Sequence, residues 1–125
     1  MLALVSVQPA APSSPSERAG QVDVRPIGSL VERIVAVWHP LEIWLFGSRA
    51  RGEAVADSDW DLLVVVPDDL AEDELDPLVS WRLQKGSSVR AEIIPCRAGD
   101  FAEDRGTPNT LAYEAATRGL RVYER

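Results

Sequence analysis

The run Trp60–Val66 (WDLLVVV) constrains this chain most. Beyond its second residue it is wholly apolar and largely β-branched, and Pro67 stops it. An uninterrupted run of this length reads as a central strand buried on both faces, because a half-exposed strand alternates apolar with polar residues. Such a strand needs neighbours in a sheet and layers that cover it.

The remaining segments supply both. From Pro26, residues Ile27, Leu30, Val31, Ile34, Val35 and Trp38 follow the stripe of an amphipathic helix. Pro40 ends it and biases His39 out of the helix. Leu41 to Phe46 reads as a short buried strand, Gly47 breaks it, and Ser48 to Gly52 suits one helical turn before a loop to Ser58. Asp68 to Glu74 is acidic and solvated. Asp76-Pro77 then has the form of an N-cap and first-turn proline for a helix carrying Leu78, Val79, Arg82 and Leu83, with Gly86 as its end. Val89 to Pro95 reads as a strand. Thr107-Pro108 is expected to open a last helix bearing Leu111, Ala112, Ala115 and Ala116, and Leu120 to Tyr123 adds a short edge strand. The order predicts an α/β fold, a small sheet flanked by helices.

Residues 1–24 form an expected flexible tail rich in Pro, Ala and Ser, with one domain over 25–125. At 125 residues and 46% hydrophobic content, one modest core is affordable. The net charge of -7 argues against direct nucleic-acid binding, which needs clustered Lys and Arg. Cys96 is the lone cysteine, so no intrachain disulfide forms and a reducing cytoplasm fits. No apolar run approaches the roughly 20 residues that span a bilayer, so the expectation is a cytoplasmic protein without membrane contact. His39, the single histidine, reads as a helix-end residue, which leaves no Ser-His-Asp triad. Trp38, Trp44, Trp60 and Trp81 read as core, and neither Gly-x-x-x-x-Gly-Lys nor Gly-x-Gly-x-x-Gly occurs.

Chemistry concentrates around the central strand. Asp59 and Asp61 are two residues apart at its start, so both carboxylates fall on one face while Trp60 enters the other. Two such carboxylates repel unless a cation neutralises them, and hard oxygen ligands suit magnesium. Gly47-Ser48, at the end of the preceding strand, lets a phosphate approach backbone N–H groups and a hydroxyl. Arg49 and Arg51 add positive charge beside that turn. Glu92 lies in the Val89–Ile94 segment and becomes a third ligand if that strand neighbours Trp60–Val66. Each feature also has a plainer reading: a solvated strand edge, an ordinary turn, arginines paired with Glu53 or Asp57, and a glutamate on the solvent side.

The spacing Gly-Ser-x10-Asp-x-Asp resembles the signature of the polymerase-β-type nucleotidyltransferase superfamily in its minimal, single-domain form (MNT). GSRARGEAVADSDWDLLVVV is similar to that family's first two strands and active-site loop. VRAEIIPCRAGDF is similar to its third strand and following helix start, and LAYEAATRGLRVYER to its helix-Gly-hydrophobic-Tyr ending.

The resemblance implies a small mixed sheet flanked by helices, in the polymerase-β-like fold. It implies two Mg2+ ions held by Asp59, Asp61 and Glu92 as the catalytic and metal-binding carboxylates. Glu92 stands where the family usually has Asp. A nucleoside triphosphate, ATP in the leading reading, would be bound by Gly47 and Ser48 with help from Arg49 or Arg51. Minimal members commonly act beside a helical HEPN-type protein as the antitoxin of that ribonuclease toxin, in some cases adding AMP to one of its tyrosines. The implied function is therefore a protein adenylyltransferase in a toxin-antitoxin system. The alternatives are a non-catalytic toxin-neutralising binding module and a small-molecule nucleotidyltransferase.

Overall fold

The computed structural model describes residues 8–9, 22–55 and 57–125. Four strands, β2 (Glu42–Phe46), β3 (Trp60–Val66), β4 (Ala91–Arg97) and β5 (Leu120–Glu124), form a mixed sheet in the order β5-β2-β3-β4. A short strand β1 (Gln8–Pro9) pairs antiparallel with β5. The helices are α1 (Gly28–Trp38), α2 (Ser48–Arg51), α3 (Pro77–Lys85), α4 (Ala98–Asp104) and α5 (Leu111–Arg118). β3 runs antiparallel to β2 and parallel to β4. The parallel step needs a crossover, and the segment carrying α3 provides it.

β3 is buried on both faces, as its composition requires. On one face Leu62, Val64 and Val66 join Ile43, Leu45, Leu120 and Val122 beneath Leu30, Val31, Ile34 and Trp38 of α1 and Leu83 of α3. On the other, Leu63 and Val65 join Trp44 and Phe46 beneath Phe101 of α4 and Ala112, Ala115 and Ala116 of α5. The alanines let α5 lie close to the sheet. Trp38 is fully buried, and its indole N–H donates to the Glu74 carbonyl at 2.8 Å, so its one polar atom is satisfied. The helix expected from Pro26 begins as a 3-10 turn at Arg25–Ile27. His39 closes α1 in the left-handed conformation, its N–H donating to Val35 O.

Four expectations are corrected. Trp81 is not core: it is 53% exposed on α3, with the Lys85 ammonium 4.7 Å over its ring. Leu83 is the only buried residue of α3, which turns one narrow edge to the sheet. The last helix starts at Leu111 rather than at Thr107, because Asn109 takes a positive φ of 72° and Thr110 caps the helix by accepting the Tyr113 N–H. β5 is not an edge, since it lies between β2 and β1. Finally, ordered packing starts before residue 25: Val24 is buried in the core with Val22 against it. Apart from Gln8–Pro9 and residues 22–24, the expected tail lies outside the described residues.

Candidate active site

The site forms where β2 ends and β3 and β4 begin. Phe46, the last residue of β2, sits opposite Asp61 of β3, and Asp61 sits in register with Glu92 of β4. Asp61 shares its face with Leu63 and Val65, and Glu92 shares its own with Ile94, so both carboxylates lie on the α4/α5 side of the sheet.

Gly47 turns the chain there. Its φ of 79° and ψ of -159° lie in a region open essentially to glycine alone. Its carbonyl accepts the N–H groups of Ala50 and Arg51 at 3.1 and 3.2 Å, which starts α2 immediately after the strand. A Cβ on Gly47 would overlap Asp61 Oδ2. The absent side chain thus seats the first turn of α2 directly against the Asp61 carboxylate. The first N–H groups of that turn, at Ser48 and Arg49, have no intrahelical acceptor.

Asp61 is half-buried. Burial first, then the charges of Glu92 and Asp59, hold its carboxyl above the usual range, while Arg51 partly offsets them. The three carboxylates therefore feel one another across one small volume. They do not converge on a point: among the described residues, no three His, Cys, Asp or Glu side chains form a group able to hold a metal ion. Asp59 has another partner. Arg90 Nε donates to Asp59 Oδ1 at 3.0 Å, and Arg90 Nη2 donates to the Asp57 carbonyl at 3.1 Å. As a donor set, three carboxylates fit a hard divalent cation. The fit requires Asp59 to exchange Arg90 for that cation.

The two arginines expected at the turn separate. Arg51 pairs with Glu53 at 2.9 Å and reaches Glu114 of α5 at 3.4 Å, on the carboxylate side of the sheet. Arg49 donates twice to the Ser58 carbonyl, at 3.2 and 2.8 Å, and its guanidinium lies 4.4 Å over the Trp60 ring. Trp60 belongs to the α1/α3 core, so Arg49 is held on the face opposite Asp61 and Glu92. There it braces the loop that leads to Asp59. Two open cavities of about 220 and 280 Å³ flank Arg49 and Trp60, and none of the three carboxylates lines either. The carboxylates stand instead on an open ledge at the strand ends.

Arg90 escaped the sequence reading. It stands two residues before Glu92, where strand alternation puts it on the same face. That spacing signalled nothing until the β3–β4 register brought it beside Asp59.

Residues 27–106 match the family model described as a nucleotidyltransferase domain, and the chain belongs to that family. No curated protein matches the chain. Membership assigns general nucleotidyl transfer from a nucleoside triphosphate and makes the chain a transferase. The matched span contains the whole site, while α5 and β5, beyond it, complete the sheet and carry Glu114 to Arg51. Among the described residues, no helix is long and apolar enough to cross a membrane.

Proposed function

We propose that this protein transfers AMP from ATP to a hydroxyl of a partner protein, as the cytoplasmic antitoxin of a HEPN-type ribonuclease toxin. The observation that carries the transfer reading is the seating of Gly47 against Asp61, with Glu92 in register beside it. A turn that admits a phosphate is thereby joined to the carboxylates that would govern its reaction. The net charge of -7 favours a protein acceptor over RNA.

Gly47 and Ser48 would hold the β and γ phosphates through backbone N–H groups and the serine hydroxyl. Arg51 would add charge, and Arg49 would keep the loop before Asp59 in place. Two magnesium ions, held by Asp59, Asp61 and Glu92, would neutralise phosphate charge and lower the pKa of the acceptor hydroxyl. Its oxygen would attack the α-phosphorus in line, forming one P–O bond as the bond to pyrophosphate breaks. Glu92, exposed at the rim, is suited to take the proton released by the acceptor.

A second reading, a binding module that neutralises its toxin by contact alone, is favoured by the Arg90–Asp59 pair, which engages one of the candidate metal ligands. The test of both uses the protein with magnesium and α-phosphate-labelled ATP in a lysate of its source, with Asp61→Asn as control. A labelled protein absent from the control supports adenylyl transfer and names the partner. A labelled small molecule would move the assignment to the third reading, a small-molecule nucleotidyltransferase. No label together with no Mg-nucleotide binding would overturn catalysis and leave the binding module.

A further inference from the structure

We infer that Arg90 is a latch on the metal site: it occupies Asp59 until a divalent cation displaces it. This rests on the assignment of Asp59, Asp61 and Glu92 as metal ligands. Asp61 lies in register with Glu92, while Asp59, one residue before β3, accepts from the Arg90 guanidinium. Two anchors fix that guanidinium. Its Nε donates to Asp59 Oδ1, and its Nη2 donates to the Asp57 carbonyl. The Trp60 N–H donates to the Arg90 carbonyl at 2.9 Å, which locks the backbone of Arg90 beside the same strand. A planar fork with two acceptors loses less freedom on pairing than a lysine ammonium would.

The latch is weak enough to open. The Arg90 and Asp59 side chains are 73% and 52% exposed, so water screens the pair and compensates both ends on release. It therefore sets a threshold of cation concentration below which Asp59 stays with Arg90 and the three carboxylates stay apart. Arg90 acts through Asp59 and is a positioning residue.

The test is titration of the full chain with Mn2+ alone, followed by electron paramagnetic resonance or calorimetry, so no activity is needed. Arg90→Gln should bind Mn2+ about two- to fivefold more tightly than wild type, the factor set by an exposed ion pair. Because removing any positive charge favours a cation, Arg90→Lys is the decisive variant. It keeps the charge and loses the fork, so its affinity should fall between the other two. Far-UV circular dichroism should be unchanged in both variants, since neither residue of the pair is buried. Lysine equal to wild type while glutamine binds more tightly would reduce Arg90 to background charge and overturn the latch. Equal affinity in all three proteins, with Asp59→Asn weaker, would overturn the latch and leave the metal site standing. No Mn2+ binding in any of them would remove the metal site and the latch together.

Discussion

Gly47→Ala is the sharpest perturbation this structure offers, because two separate costs meet at one methyl group. The first is conformational. With φ 79° and ψ -159°, alanine would occupy a region that costs about 1–3 kcal/mol. The second is spatial. The new Cβ would overlap Asp61 Oδ2 and lie 3.4 Å from its Cγ. Asp61 can relieve the overlap by rotating, so that cost falls on the site more than on the fold. Against a total stability of about 5–15 kcal/mol, the variant should remain folded. Its midpoint should fall by on the order of 10 °C. Urea unfolding measures the first cost, and Mn2+ or Mg-ATP titration measures the second, expected as a loss of about tenfold or more. Gly28→Ala is the control, since Gly28 has helical dihedrals and open space around its missing Cβ. It should be neutral or stabilising by about 0.5–1 kcal/mol. An Asp61→Ala background separates the two costs: the overlap vanishes and the backbone strain stays. If Gly47→Ala unfolds within about 0.5 kcal/mol of wild type, the strain assigned to this turn is wrong. If it keeps full metal and nucleotide affinity, the coupling of Gly47 to Asp61 is wrong.

Trp38→Ala should cost about 3–5 kcal/mol by chemical unfolding, because it empties a core site and strips the Glu74 carbonyl of its donor, whereas Trp81→Ala should stay within about 0.5 kcal/mol. Asp61, with its folded pKa held above the ordinary carboxyl value of 3.8, contributes stability below that pH and loses it as pH rises through the raised value. Asp61→Asn should accordingly be more stable than wild type at pH 7 without metal, and the gap should close towards pH 3; a constant difference across that range would refute the repulsion. The Cys96 thiol is pushed up to about 11, by burial first and then by Asp100 and Asp104, so native protein at pH 8 should react with iodoacetamide far more slowly than unfolded protein.

Much of this molecule is written in local sequence. Leu62–Val66 specified a strand buried on both faces, because an apolar, largely β-branched run bounded by Asp61 and Pro67 suits a sheet covered on both sides. The stripe of α1, the Asp76 cap and the glycine after Phe46 are short-range features, set by helical period, one side-chain hydrogen bond and one dihedral. The placing of Asp61 on the face of Leu63 and Val65, opposite Trp60, followed from the two-residue repeat of a strand. Gly47, Asp59, Asp61 and Glu92 were therefore nameable as candidates before their positions were known, and Arg90 was not.

Their relations were decided only by the tertiary structure. Register brought Glu92 beside Asp61, since a parallel pairing through a crossover helix has no local marker. Arg49 and Arg51, two residues apart on one helical turn, went to opposite sides of the sheet: Trp60 drew one and Glu114, far along the chain, met the other. Trp81 stayed outside because a helix that leans on the sheet by one edge buries only what faces that edge, whatever the size of its other side chains. Arg90 found Asp59 for the same reason that Glu92 found Asp61. Local sequence sets dihedrals and faces, because both depend on neighbours along the chain. Pairing partners depend on which surfaces the whole fold buries together, and only the folded chain contains that information.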